Sequence, residues 1–527
     1  MGIPYYFYSL TQKYQTILSN TKPTGLDMYC IDFNGIIHNV AQDVIRRYKE
    51  KDAANAADAA ATKERIESEI ISGVWERIQY YVENYKADKY LICADGVAPL
   101  AKMFQQRKRR YLNIHRNMLD KVAITWDTNA ITPGTQFMDV LNETLNAKLN
   151  GTSNDAKIIY SGSDECGEGE HKIFHRLKET PVSDKIIIHG LDADLIILSL
   201  MSHKENIYLM REMKDPHTNN TVFNYLSVKE LRKAILCELK TSWNLDASSG
   251  YADADLVETY CTACSILGND FIPHLLTIEL KNNGIETLMS ATKRAIQSNG
   301  LLVHNGAINH NCLIDIFKDL ANTEDEDIHR ICERYIKKRP PCLPRDVPSD
   351  YYGLKNKDPL IHTIYNSPNK WRQEYYRIIF DNNISIDSTV MFNACNHYIK
   401  GIYWVYDYYK GRAIDCEWYY PYNYPPTIKD ILNHSIANEA PVPSDSDSVV
   451  PSHVPSYIQL LIVLPKYSVN LLAKKHQRYM LDIYSGLFHL YPVKYEIQTF
   501  LKTQLWECSP ILPLININYI KKVLEIK

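Results

Sequence analysis

Seven carboxylates stand where short apolar runs stop or Gly-rich turns begin: Asp32 in CIDFNGIIH, Asp95 in CADGVAP, Glu168 and Glu170 in CGEGEHK, Asp192 and Asp194 in GLDADL, and Asp270 in LGNDFIP. Two unit charges about 4 Å apart repel by about 4 kcal/mol at an effective dielectric near 20. Acids gathered in one cleft therefore take up protons, or destabilise the fold, unless a cation holds them. Oxygen ligands alone, with no Cys or His at zinc spacing, select hard ions: Mg2+, with Mn2+ able to substitute. Two such ions can activate a water and stabilise the leaving oxygen of a phosphodiester, so the chemistry indicated is phosphodiester hydrolysis. Singly, each acid has an ordinary structural use: Asp192 and Asp194 as a turn and a helix cap, Glu168 and Glu170 as favourable charges in a first helical turn. Their joint placement is what asks for a cation.

A basic group follows the turn DGVAP. In LAKMFQQRKRRYLNIHRN, Lys102, Gln106, Arg109 and Arg110 fall at i, i+4, i+7 and i+8 and share a helix face, whereas Arg107 and Lys108 point elsewhere. A Lys, two Arg and a Gln amide make a compact anion site, with guanidinium forks suited to phosphate oxygens. The alternative is a solvated basic face, and proximity to Asp95 favours the anion site. A terminal phosphate held one step from a cleavage centre describes an exonuclease that measures from the 5′ end. His38, in NGIIHN, could stack on a base or cap a helix. Trp418 lies in CEWYYPYNYPP, a stretch dense in aromatic rings that could stack on unpaired bases or fill the core. His171 and Lys172 read as supports for the glutamates or as surface groups.

These residues need a frame. Short apolar runs at Met28–Ile31, Tyr90–Cys93, Lys157–Tyr160, Lys185–His189 and Ile207–Met210 alternate with helical-period stretches at Glu64–Tyr85, Thr135–Leu149 and His171–Lys178. Such alternation predicts an α/β domain with parallel strands and right-handed crossovers over residues 1–275. Sites in such sheets lie at the carboxyl ends of the strands, which is where Asp32, Asp95 and Asp192 fall. Residues 276–435 read as a mostly helical second region packed against the first, 436–456 as a Pro/Ser-rich linker or loop, and 457–527 as a return to the body of the fold. The Ala-rich segment 50–63 reads as an exposed insertion without chemistry.

With 45% hydrophobic residues in 527, the chain can bury a large core, and its net charge of −3 says little about partners. Twelve cysteines lack the framework of a small secreted domain, and MGIPYYFYSLTQKYQ lacks the layout of a secretory signal, so an intracellular location is expected, the cytoplasm favoured over the nucleus. No apolar run reaches the roughly 18 residues of a membrane span. The CxxC pair Cys261 and Cys264 stands alone and reads as packing. No protein partner is indicated, and the chain reads as a monomer.

The motifs MGIPYYF, IDFNGIIHN, ADGVAPLAKMFQQRKRRY, WDTNAITPGTQFM, CGEGEHKIF, HGLDADLIILSL, LGNDFIPHL, GIYWVYDYYKG and WYYPYNYPP, in this order, resemble the XRN-type 5′-to-3′ exoribonucleases. LYPVKYEI and WECSPILPLI resemble the family's second block, so the resemblance covers nearly the whole chain. It implies a PIN-like nuclease core with helices on both faces and a Mg2+-dependent site on Asp32, Asp95, Glu168, Glu170, Asp192, Asp194 and Asp270. It also implies a 5′-monophosphate pocket on Lys102, Gln106, Arg109 and Arg110, and a stacking pair on His38 and Trp418. An N-terminal segment that helps exclude duplex is matched by Gly2 and Pro4. The implied activity is processive hydrolysis of 5′-monophosphorylated single-stranded RNA to nucleoside 5′-monophosphates, in RNA decay. Phe33, Phe104 and Cys166 depart from the family's usual Met, Asn and Pro without removing a ligand, and the chain reads as a compact form without a long C-terminal extension. The competing readings are a structure-specific flap DNA nuclease, against which IPHLLTIELKNNGIETL offers a single Gly, and a nonenzymatic RNA-binding scaffold, against which all seven acids are present.

Overall fold

The computed structural model describes residues 5–52, 59–120, 125–150, 157–190, 192–214, 221–245, 250–337, 358–438 and 454–525. The first half runs α1 (Tyr6–Lys13), β1 (Leu18–Ser19), β2 (Leu26–Asp32), α2 (Phe33–Asp52), α3 (Ala59–Asn84), β3 (Ala87–Cys93), α4 (Leu100–Leu119), α5 (Gln136–Asn150), β4 (Lys157–Ser161), α6 (Gly169–Leu177), β5 (Lys185–His189), α7 (Asp194–Met201), β6 (Asn206–Lys214), β7 (Thr221–Ser227), α8 (Val228–Ser242) and α9 (Asp253–Cys264). The seven strands form one sheet in the order β1-β7-β6-β5-β2-β3-β4.

Strands β2 to β6 pair in parallel, as the alternation of elements predicts. The edge beyond β6 differs: β7 runs antiparallel to β6, and β1 antiparallel to β7. The sequence separation of β6 and β7 is too short for a crossover connection, which is consistent with their antiparallel pairing. TVFNYLS mixes polar and apolar residues without clean alternation, which is why β7 is not evident in the sequence. The sheet is thus mostly parallel.

Period-two alternation splits the central strands between two cores. Tyr29, Ile31, Tyr90, Ile92 and Ile187 face α2, α3 and α5, where Ile66, Ile70, Val74 and Ile78 recur every four residues along α3. Met28, Cys30, Leu91, Ile186 and Ile188 face the other way, onto Ile173 and Leu177 of α6 and the apolar sides of α7, α8 and α9. This second core continues without a break into the helices Gly284–Asn299, His310–Ala321 and Thr389–Lys410, through Leu288, Leu313, Phe317, Tyr398 and Ile402. Cys261 and Cys264 lie buried within it, where burial pushes both thiols up, Cys264 to about 12, as expected of packing residues.

A third core braces α4 from outside. Leu100, Met103 and Phe104 pack against the helix Ser456–Val463 and against Ile517 and Ile520 of the helix Ile517–Val523. The Ala-rich segment 50–63 falls at the junction of α2 and α3, with 53–58 outside the described residues, as are 1–4, which include Gly2 and Pro4, and 439–453, most of the Pro/Ser-rich segment. Among the described residues no helix is long and apolar enough to cross a membrane.

Glu258 of α9 ties the sheet region to the long helix Thr389–Lys410. It takes hydrogen bonds from Lys410 Nζ at 2.7 Å and Tyr406 OH at 2.8 Å, and its Oε1 lies 2.7 Å from His203 Nε2. Burial alone would raise this carboxyl, but these partners hold it down at about 2, against an ordinary 4.5. A depressed acid contributes stability that is present above its unfolded pKa and is lost as pH falls through its folded one. Glu258→Gln is expected to cost about 3 kcal/mol at pH 7 and progressively less between about pH 4 and 2. Urea melts at pH 7 and pH 3 measure this, and an equal cost at both would reject it.

Candidate active site

Parallel pairing brings the separated acids to one sheet edge. Asp32 ends β2 in register with Cys93, so Asp95, just beyond β3, stands beside it, and Asp192 follows the neighbouring β5. Glu168 is the N-cap residue of α6 and Glu170 lies in its first turn. The N-terminus of α6 comes so close to the strands that a Cβ at Gly169 would sit 2.7 Å from the Cys93 carbonyl oxygen and 3.1 Å from Asp32 Oδ1, so a glycine is required. Gly169 N–H in turn donates to Asp95 Oδ1 at 2.8 Å. Asp270 enters from the turn after α9, where Asn269 Oδ1 accepts from the backbone N–H of Phe271 at 2.9 Å and of Ile272 at 3.1 Å.

Asn34, Tyr408 and Tyr409 are supports not singled out in the sequence, and Lys172, read there as a support or a surface group, is buried. Asn34 donates to Asp95 Oδ2 at 2.9 Å and accepts from Asp95 N–H at 3.0 Å, which fixes that carboxylate. Lys172 Nζ donates to the carbonyls of Ala94, 2.9 Å, and Gly162, 2.7 Å, and so holds the carboxyl ends of β3 and β4 together. Tyr408 OH donates to Glu168, and Tyr409 OH to Asp194 Oδ1 at 2.9 Å. The position of Asn34 two residues after Asp32 was a usable signal. The tyrosines lie hundreds of residues from their acids, among 38 tyrosines, and carried none. His171 packs its ring 3.7 Å from that of Tyr408, and burial lowers it to about 3, so it supports the site as a neutral group.

A cavity of about 380 Å³ opens here. Asp32, Asp95, Glu168, Glu170, Asp192 and Asp270 line it, together with Lys102, Gln106, Arg109 and Arg110, and His38 contributes to the wall. Asp194 does not reach this wall; it lies beneath, 1% exposed and held by Tyr409. Burial pushes Asp32 well up, reinforced by Asp95 and Asp192. Burial likewise raises Glu168 and Glu170, and with the neighbouring Asp270 it lifts Asp194 to about 7. Burial is the main cause in each case and the neighbouring acids add to it, whereas Asp192 and Asp270 are lowered against burial by nearby positive charge that includes Lys102.

Lys102 supplies its part of this positive charge with Nζ 2.5 Å from Glu168 Oε2 and 3.1 Å from Asp270 Oδ2. Among the described residues no group of three or more His, Cys, Asp or Glu is placed close enough together to hold a metal ion. The donor set itself, crowded carboxylate oxygens, is of the type that suits hard divalent cations.

On the basic side, Arg110 Nη2 donates to Thr132 Oγ1 at 2.7 Å, while its Nη1 and Gln106 Oε1 are buried without a partner. Burial, with Arg109 close by, lowers Arg110 to about 9. Burial and the same two arginines hold His38 at about 4, so its ring is neutral near pH 7 and suited to stacking. Arg107 turns away to the carbonyls of Pro513 at 2.7 Å and Leu490 at 2.5 Å, and Lys108 lies 4.2 Å over the Phe104 ring.

The expectation for Trp418 is corrected. Its indole is 4% exposed, packed at a centroid distance of 5.0 Å on Trp404 and against Gly401, and it is absent from the cavity wall. A ring enclosed in this way has no open face for a base.

A mostly parallel sheet that gathers carboxylates at its strand ends, flanked by a basic helix, belongs to the PIN-like class of nuclease folds. Residues 1–213 match the XRN 5'-3' exonuclease N-terminus, and residues 251–342 and 362–525 match the Xrn1 helical domain. The chain belongs to the XRN family. It is 24% identical to 5'-3' exoribonuclease 1 of Saccharomyces cerevisiae over 98% of this chain and 42% of that protein. It is also 24% identical to 5'-3' exoribonuclease 1 of Homo sapiens, over 100% and 34%, and 25% identical to 5'-3' exoribonuclease 2 of Gallus gallus, over 100% and 70%. The chain thus spans less than half the length of the first two relatives.

Proposed function

We propose that the protein is a divalent-metal-dependent exoribonuclease that degrades 5′-monophosphorylated single-stranded RNA from its 5′ end, processively, to nucleoside 5′-monophosphates. The observation that carries this reading is the single cavity in which six carboxylates meet the Gln106, Arg109 and Arg110 face of α4. Asp32, Asp95, Glu168, Glu170, Asp192 and Asp270 would hold Mg2+, two ions in this reading, with Asp194 behind them. Bound there, such ions would supply a nucleophile at neutral pH and charge compensation for the leaving oxygen. Arg110 and Arg109 hold the terminal phosphate by charge-assisted hydrogen bonds, and Gln106 lines the same pocket. The position of this pocket beside the acids sets the scissile bond at the first nucleotide. In this reading a cap or triphosphate is refused for its added bulk and charge.

RNAs bearing 5′-monophosphate, 5′-triphosphate or a cap, and a flap DNA, each incubated with Mg2+ or EDTA, test the reading. Mg2+-dependent loss of the monophosphorylated RNA alone is expected. Equal decay of all three RNAs would remove the phosphate pocket, preferred cleavage of the flap would make the protein a DNA nuclease, and no decay would leave a binding scaffold. His38→Ala is expected to shorten each run of hydrolysis, by roughly the 1 to 3 kcal/mol of one base stack, with little change in the Mg2+ dependence. Product-length distributions measured with a trap for released enzyme report it, and unchanged run lengths would free His38 of this role.

A further inference from the structure

Behind α4 lies a second cavity, of about 290 Å³, which touches the first through Arg109 and Asp270. Phe104, Phe271, Tyr420 and Tyr422 contribute aromatic rings to its wall. Two polar atoms break this surface, Gln105 Oε1 and Asn269 Nδ2, each shielded from solvent and without a hydrogen-bond partner. The orientation of the Asn269 amide is settled by its other end, because Oδ1 already takes the backbone N–H groups of Phe271 and Ile272. The open atom is therefore a donor, and the one on Gln105 an acceptor. Shielded polar groups left unmatched cost free energy, so a donor and an acceptor set among aromatic rings ask for a flat ligand with a complementary edge.

Charges of both signs lie at the same cavity: Asp270, Glu279 and Glu507 share its wall with three cations, of which Lys108 is lowered by burial to about 7. Lys108 and Lys502 line it along with the exposed Arg109, and Tyr5 and Trp506, both half exposed, pair at a centroid distance of 6.0 Å. Every nucleobase carries adjacent donor and acceptor atoms on an aromatic plane, and its phosphate is an anion. We infer that this cavity binds one unpaired nucleobase, with Gln105 and Asn269 reading its polar edge and Lys108 or Lys502 facing its phosphate. Two sources share this chemistry: a free nucleoside 5′-monophosphate, which the activity proposed above would release next door, and a later base of the bound strand. The inference rests on the nucleic-acid reading of the neighbouring site and not on its catalysis.

The test uses the full chain in EDTA, so that binding is read without turnover. Trp506 fluorescence or calorimetry follows titration with GMP, AMP, CMP and UMP, and with 5′-phosphorylated oligonucleotides. Gln105→Leu is close in size and sits on a helix, and Asn269→Asp keeps the acceptor that orders its turn while removing the donor. Each is expected to weaken binding about tenfold, the size of a buried hydrogen bond left unmade. Weakened mononucleotide binding with unchanged oligonucleotide binding identifies free product as the occupant, and the reverse identifies a base of the strand. If both variants bind both ligands as the unaltered protein does, the inference is overturned. Loss of RNA hydrolysis with Gln105-dependent nucleotide binding intact would refute the enzyme reading and leave this one standing.

Discussion

Asp32→Asn is expected to lower RNA hydrolysis about a thousandfold, the several kcal/mol of a metal-held transition state at about 1.4 kcal/mol per decade, while metal-free protein melts no lower than the unaltered protein. The two halves come from one observation. Burial and then Asp95 and Asp192 push the Asp32 carboxyl well up, so its ionised form is a burden on the fold at neutral pH. The sign follows from linkage: an acid raised in the folded state makes stability fall as pH climbs from its unfolded pKa through its folded one. Asn keeps the shape and removes that slope. Mg2+ should raise the melting temperature of the unaltered protein by mass action, and that of the variant less. Asp32 is a better probe than Glu168, which is tied to Lys102 and Tyr408 and whose loss would leave both groups short of a partner. Thermal melts with and without Mg2+, beside single-turnover decay of 5′-phosphorylated RNA, measure both halves. A drop of many degrees in EDTA, or activity within tenfold of normal, would show that Asp32 is a structural acid.

Much of this arrangement is legible in the sequence because parallel strands leave a strong trace. MYCI and KIIIH are apolar runs of the kind carried by a strand covered on both faces, and each is followed by its acid, Asp32 or Asp192. The basic face of α4 follows from helical spacing alone, and Arg107 is duly found turned away from it. What local pattern does not encode is which distant side chain completes a buried group. Tyr408 and Tyr409 reach Glu168 and Asp194 only through the packing of the helix Thr389–Lys410 against α7, and Lys172 pins β3 to β4 through carbonyls that any residue would present. Trp418 shows the converse: an aromatic-rich stretch looks the same whether its rings face RNA or one another. The Trp418 ring packs inward, because Gly401 and Trp404 make a slot that the indole fills.

Arg110→Gln is expected to reduce the preference for a 5′-phosphate over a 5′-hydroxyl by about 10- to 100-fold in kcat/KM, the 1.5 to 3 kcal/mol typical of a hydrogen bond to a charged group. The guanidinium is held on one side only, by Thr132, which is itself anchored by donating to the Asn129 carbonyl at 2.6 Å. Its other terminal nitrogen is buried with no partner, and burial together with Arg109 already lowers the group to about 9. A cation so placed is a cost to the free protein that a dianionic phosphate relieves. The variant should therefore bind phosphate more weakly without losing stability, which separates a recognition role from a structural one. Arg109 is exposed, so its charge is better screened, and Arg109→Ala should have the smaller effect. Competition by inorganic phosphate provides a second readout: it should inhibit the unaltered protein and fade in Arg110→Gln, with 5′-hydroxyl RNA decaying at the same rate in both. If instead the two RNAs lose rate equally, Arg110 supports the wall of the cavity through Thr132 and the 5′ end is sensed elsewhere on α4.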